Sequence, residues 1–101
     1  MTSSAFKILT RDEWSRFSSD GVFDGAPVDL ADGYIHMSTA EQLGETLARH
    51  FAGQRDLVIA EIDLGALGDA VRWEASRGGA LFPHLYARLP IGAVIATRTL
   101  D

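Results

Sequence analysis

DGYIHMSTAEQ, residues 32–42, indicates the fold because it reads as a short strand that runs directly into a helix. Alternation along YIHMS places Tyr34, His36 and Ser38 on one face of the strand and apolar side chains on the other. Ser38 and Glu41 have the spacing of a capping box, so the helix is predicted to begin at Ser38. The stretch therefore predicts a histidine on a strand beside the N-terminus of a helix.

Upstream of this stretch, residues 6–10 alternate as a strand. Thr10 and Glu13 form a second capping box, which predicts a helix that runs to about Phe17. Residues 18–32 are rich in Gly and Asp and show no sustained period, so we predict a long loop there. Because this loop leads directly into the histidine strand, we expect it to border the histidine and to act as a lid.

Downstream, the helix carries apolar residues at helical spacing and is predicted to end at Gly53. Residues 56–64 are apolar at both alternating sets of positions, which predicts a central strand. Further strands are predicted over residues 70–74, 81–90 and 91–100. The order predicts a single compact α+β domain over residues 1–101, with two main helices and mostly antiparallel or mixed sheets.

Composition restricts the classes of function. With 47% hydrophobic and 23% charged residues, the chain has the composition of a soluble globular protein, and it has no apolar run long enough to cross a membrane. The absence of cysteine excludes disulfides and thiolate sites and, with no export signal in view, favours the cytoplasm. A net charge of -5 argues against a broad nucleic-acid surface. The three histidines lack HxH or HExxH spacing, so no metal site is predicted.

The strand end around His36 is the first candidate site. His36, Ser38 and Thr39 lie beside a helix N-terminus, whose free N–H groups favour anions, so these side chains could bind a ribose hydroxyl or a phosphate. The alternative is a half-buried structural histidine, with Ser38 acting only as the helix cap.

The second candidate site lies in the segment LFPHLYARLP. If this segment is extended, four side chains share one face: Phe82, His84, Tyr86 and Arg88. Aromatic rings beside a histidine and an arginine could stack on a planar ligand and contact a phosphate. The alternative is an edge strand whose aromatic residues pack on a helix. We predict that His36 and Tyr86 lie on facing walls of one cleft.

A carboxylate is the remaining requirement for catalysis in such a site. Glu74, next to Trp73, could act as a general base or stabilise a developing positive charge, and His84 is the second catalytic candidate. The alternative is that Glu74 forms a surface ion pair. Glu61 is a rival carboxylate because it shares a strand face with apolar residues.

The runs FKILTRDEW, DGYIHMSTAEQ, FAGQRDLVIAEID and RWEASRGGALFPHLYARLP together resemble the bacterial domain of unknown function 952 family. The resemblance covers nearly the whole chain. Its most specific parts are the block His36-x-Ser38-Thr39, the Trp73-Glu74 pair and the block FPHLY.

A more distant resemblance is to the ADP-ribosyltransferase-like fold, in which a histidine-x-Ser/Thr strand end holds the ribose of NAD, a tyrosine stacks on nicotinamide and a glutamate supports transfer. This resemblance implies those roles for His36, Tyr86 and Glu74, and NAD as a cofactor. In the usual family order, however, the tyrosine precedes the glutamate, whereas here Glu74 comes first.

The implied activity is that of an ADP-ribosyltransferase or, as in the related RNA 2'-phosphotransferases, a phosphotransferase acting on a small nucleotide-like ligand. Two alternatives remain open. One is a module that binds a nucleotide or metabolite without turnover, and the other is an interaction domain with no small ligand.

Overall fold

The computed structural model describes residues 3–76 and 78–100, and within them the chain forms three α-helices and eight strands. In chain order the elements are β1 (Ser4–Leu9), α1 (Arg11–Asp20), β2 (Val22–Phe23), α2 (Pro27–Asp32), β3 (Ile35–His36), α3 (Ala40–His50), β4 (Leu57–Asp63), β5 (Val71–Ser76), β6 (Ala80–Leu85), β7 (Leu89–Pro90) and β8 (Val94–Leu100). The predicted α+β class is confirmed, with one more helix than expected. Within the described ranges, no helix is long and apolar enough to cross a membrane.

The strands form two three-stranded sheets, β1-β4-β8 and β3-β6-β5, and a separate pair, β2-β7. Every strand pair in the described part of the chain is antiparallel. A single bridge joins β1 to the residues after β3: Phe6 N–H donates to the Ser38 carbonyl at 2.7 Å, and Ser38 N–H donates back to the Phe6 carbonyl at 2.9 Å. Through this bridge, the side chains of β1 come close to those of β3.

Strand β4 lies at the centre of its sheet and is buried on both faces, as predicted. On one face, Val58 and Ile62 belong to the larger hydrophobic core, which includes Phe17 of α1. On the other face, Ile59 packs in a smaller core with Leu43 of α3. The period-two pattern therefore has apolar residues in both sets because each face meets a different helix.

Helix α1 has the predicted capping box. The Thr10 hydroxyl accepts from the Glu13 N–H at 3.1 Å, and the Thr10 N–H donates to the Glu13 carboxylate at 2.9 Å. The helix ends at Asp20, followed by Gly21 in the left-handed conformation with φ 78°.

Helix α3 begins one residue later than predicted, since Thr39 and not Ser38 is its N-cap. The Thr39 hydroxyl accepts from the Gln42 N–H at 3.2 Å, and the Gln42 side chain accepts from the Thr39 N–H at 3.0 Å. Both backbone groups of Ser38 are engaged with Phe6, so the chain stays extended through Ser38 before it can turn. The helix also ends at His50, before Gly53.

The predicted long loop over residues 18–32 is wrong. The segment contains the end of α1, strand β2 and helix α2, which begins with Pro27 at its first turn. In place of a polar N-cap, the Asp29 carboxylate accepts from the Ala26 N–H at 2.8 Å. The segment does border His36, as expected, and its action as a lid stays a prediction.

The glycine after α1 provides a test of the fold. Gly21 has φ 78° and no atom within 4 Å of the position that a Cβ would occupy, so Gly21→Ala adds backbone strain without a clash. We expect Gly21→Ala to lower the free energy of unfolding by about 1 to 2 kcal/mol. The matched control is Gly44→Ala, inside α3 and equally open, which should raise it by about 0.5 to 1 kcal/mol. Urea denaturation measures the free energy of unfolding of both variants. A change in the same direction in the two variants would contradict this account.

Candidate functional site

Four rings meet where β3 pairs with β6. In the antiparallel register His36 lies opposite His84, and their ring centroids are 5.5 Å apart. Tyr34 is stacked on His84 at 4.1 Å and lies 4.6 Å from His36, and the Tyr86 ring is 5.1 Å from Tyr34. We refer to Tyr34, His36, His84 and Tyr86 as the aromatic cluster.

A buried carboxylate holds one side of this cluster. Asp29, 2% exposed, accepts from the His36 ring nitrogen Nδ1 at 2.6 Å and from the His36 backbone N–H at 3.0 Å. It also accepts from Lys7 Nζ at 2.9 Å, and Lys7 donates further to the His36 carbonyl at 2.9 Å. Asp29 thus connects α2 to β1 and β3.

These contacts determine the charge of Asp29. Burial by itself raises the pKa of the carboxyl, but the hydrogen bonds from His36 and Lys7 and the positive charge of Lys7 outweigh burial and hold the pKa at about 2. Asp29 is therefore ionised near neutral pH and acts as a counter-ion rather than as a proton carrier.

A second carboxylate occupies the other nitrogen of the same ring. His36 Nε2 lies 2.9 Å from Asp32 Oδ2, and the two side chains are 32% and 46% exposed. Because an ionised carboxylate only accepts, the ring can donate to both carboxylates at once only when each of its nitrogens carries a proton. While Asp32 stays in place, neither ring nitrogen is available to a ribose hydroxyl.

His84 is held differently. It is 3% exposed, and its Nδ1 lies 2.8 Å from Glu74 Oε1, which also accepts from the Tyr86 hydroxyl at 2.7 Å. The hydrogen bonds from His84 and Tyr86 lower the pKa of Glu74. The hydrogen bond to Glu74 raises the pKa of Tyr86, whose ring also carries the Arg72 guanidinium at 4.7 Å.

The second ring nitrogen of His84 differs from that of His36. No hydrogen-bond partner for Nε2 of His84 is found in residues 3–76 and 78–100. Since the ionised Glu74 accepts the Nδ1 proton, Nε2 carries the lone pair in the neutral ring. It is the atom of this side chain that is left to accept a hydrogen bond or a proton.

Both histidines line a cleft of about 540 Å³. Its apolar walls include Phe6, Met37, Phe51 and Phe82, and its polar groups include Ser38, Thr46, Ser76 and Asp32. This volume lies in the range of small-molecule sites. Among the described side chains, no group of three or more His, Cys, Asp or Glu is arranged to hold a metal ion.

The other predicted residues of the first candidate site lie near the cleft but have structural contacts. Ser38 is 4% exposed, and its hydroxyl is 2.9 Å from that of Thr46. Thr39 caps α3 through its side chain.

Two predicted positions are corrected. Arg88 does not share the face of His84, because β6 ends at Leu85 and the alternation stops there; its exposed side chain pairs with Asp24. The expected facing walls are also absent: Tyr86 lines a separate shallow depression with Tyr34 and Arg88, not the cleft that His36 lines. The rival carboxylate, Glu61, lies on β4 and accepts from Ser4 at 2.9 Å.

Sequence reasoning missed Lys7, Asp29, Asp32 and Tyr34 as members of the site. One signal was present: Lys7 interrupts an apolar strand, and a lysine is rarely buried unless a carboxylate pairs with it. The partner could not be inferred, because Asp29 lies in the segment predicted as a loop. Tyr34 shares the alternating face of His36 and could have been included on that ground.

A family model described as "Protein of unknown function (DUF952)" matches residues 8–97. The chain belongs to the DUF952 family. The crystal structure of protein CC0527 from Caulobacter crescentus is 47% identical with a TM-score of 0.94, covering 98% of this chain and 87% of that one. The solution NMR structure of CC0527 is 48% identical with a TM-score of 0.86, covering 97% and 84%. No curated protein matches the chain.

The DUF952 resemblance is thus confirmed, and the solved relatives share its fold. The names of these relatives state neither a ligand nor a reaction. An argument about function must therefore start from the contacts of the cleft.

We expect Asp29→Asn to lower the free energy of unfolding by about 3 to 5 kcal/mol, because the amide leaves the buried Lys7 without its counter-ion. The control is Asp24→Asn, which removes the same charge from an exposed pair and should change stability by no more than about 0.5 kcal/mol. Urea denaturation near neutral pH compares them. Equal changes in the free energy of unfolding would show that the buried contacts of Asp29 stabilise the fold no more than the exposed ion pair of Asp24 does.

The pKa of Asp29 also predicts a pH dependence. The folded value of about 2 is below the ordinary 3.8, so the stabilisation is complete above the unfolded pKa and is lost as pH falls through the folded one. We expect the stability difference between wild type and Asp29→Asn to shrink by about 2 kcal/mol between about pH 5 and pH 2. Urea denaturation across this range measures it, and a constant difference would contradict the assignment.

Proposed function

We propose that the cleft binds a nucleoside-like ligand and that the protein is a transferase of ADP-ribosyltransferase type, in which His84 is the acid–base residue. The observation that carries this proposal is the buried His84 ring, held by Glu74 through Nδ1, with Nε2 unpartnered among the described residues. A buried polar atom without a protein partner costs free energy unless a ligand or water meets it. A ligand in the cleft would supply that partner.

The contacts of His84 suit general base catalysis. Nε2 accepts a proton from an attacking hydroxyl, and the ring becomes positively charged while Nδ1 keeps its hydrogen bond to Glu74. The negative charge of Glu74 stabilises this imidazolium. Glu74 does not line the cleft, so we assign it as a positioning residue that acts through His84.

The walls of the cleft suit a planar ring. Phe6, Phe51 and Phe82 supply aromatic surface to the cleft that His84 also lines. The resemblance of His36-x-Ser38-Thr39 to the NAD-binding strand end of ADP-ribosyltransferases supports NAD as the ligand to test first.

In the proposed reaction, the oxygen of an acceptor hydroxyl bonds to the anomeric carbon of the ribose as the bond to the nicotinamide nitrogen breaks. The hydroxyl proton passes to Nε2 of His84, and nicotinamide leaves as a neutral molecule with the bonding electron pair. The transition state has oxocarbenium-like character.

Incubation with NAD, with released nicotinamide measured by chromatography, tests the proposal. We expect release by the wild type and a fall of about 10²- to 10⁴-fold in His84→Gln, because proton transfer is lost. Glu74→Gln should also slow release and should shift the ¹⁵N resonances of His84 towards the other tautomer. The matched control is Glu61→Gln, a carboxylate bonded to Ser4 outside the cleft, which should behave as the wild type.

Other outcomes would favour the alternative functions. If NAD raises the melting temperature without release of nicotinamide, the protein is a binding module and the transferase is excluded. If no nucleotide produces either effect, the interaction domain becomes the better description.

A further inference from the structure

The two carboxylates that contact His36 differ in how firmly they are held. The side chain of Asp29 is 1% exposed and also contacts Lys7 and the backbone of α2. The side chain of Asp32 is 46% exposed, and His36 is its only side-chain hydrogen-bond partner in the described ranges. Asp32 can therefore leave the ring while Asp29 keeps the ring in place.

The balance of charge indicates what would replace Asp32. Asp29 contacts both Lys7 and Nδ1 of His36, so one carboxylate is shared between two basic side chains. Nε2 of His36 has a carboxylate of its own, that of Asp32, at 2.9 Å. A group that displaces Asp32 takes the place of a carboxylate beside a basic ring nitrogen, and an anion suits that position best.

The position of Asp32 permits this displacement. Asp32 is the last residue of α2, and its side chain is 46% exposed. The Gly33 N–H donates to the Asp29 carbonyl at 2.8 Å, so the backbone stays in place and only the Asp32 side chain has to rotate about its own bonds. An exposed ion pair contributes little to stability, and breaking the contact costs correspondingly little.

We propose that Nε2 of His36 is an anion-binding subsite of the cleft, occupied by the Asp32 carboxylate in the free protein and by a carboxylate or phosphate group of the ligand in the complex. Asp32 itself lines the cleft, so the exchange takes place at the wall that the ligand contacts. The subsite rests on the proposed function only in that both use the same cleft. It requires no turnover and no role for His84.

Titration with sodium phosphate and, separately, with sodium acetate tests the subsite, with sodium chloride to match ionic strength. The readout is the ¹⁵N resonance of His36 Nε2, assigned with the variant His36→Ala. We expect Asp32→Asn to bind the anion about three- to fivefold more tightly than wild type, the ratio that loss of one exposed ion pair allows. A stronger response to phosphate than to acetate would identify a phosphorylated ligand, and the reverse a carboxylate.

The matched control is Asp24→Asn, which changes the net charge equally but lies in the exposed pair with Arg88. Its anion affinity should equal that of the wild type. Equal affinities in wild type and Asp32→Asn, or no anion-dependent shift at His36 in either protein, would overturn the proposal. Because inorganic anions report binding alone, a failure of the transferase assay leaves this result unaffected.

Discussion

The buried carboxylate of Asp29 is the interaction on which the geometry of the site depends. It accepts hydrogen bonds from Lys7 on β1 and His36 on β3, and from the backbone at the start of α2. Burying these charges is costly unless each is paired, so the three elements can come together in few arrangements. We infer that the buried ion pair between Asp29 and Lys7 contributes more to the placement of the cleft wall than to net stability.

The two histidines of the cleft have similar partners at Nδ1 but different surroundings at Nε2. Each presents Nδ1 to a carboxylate, Asp29 for His36 and Glu74 for His84. At Nε2 they differ, since that of His36 lies 2.9 Å from Asp32 whereas that of His84 has no partner among the described residues. One ring is therefore suited to hold an anion and the other to accept a proton, although both lie on the same face of one sheet.

The sequence predicted those features that depend on local signals. The capping box at Thr10 and the central strand β4 were both correct, because hydrogen bonding within one turn and burial on both faces leave a pattern in neighbouring residues. Helix α2 was missed because it is short and because its N-cap, Ala26, has no polar side chain. The start of α3 and the meeting of the two histidines depend on partners distant in the chain, which a single sequence does not reveal.

The register between β3 and β6 has a consequence for how this protein can change in evolution. Side chains alternate along β6, with His84 towards the cleft and Leu85 in the larger core. Insertion or deletion of one residue within the strand would exchange these two sides, placing the imidazole in the larger core and the leucine at the cleft. The length of this strand is therefore less tolerant of change than its composition.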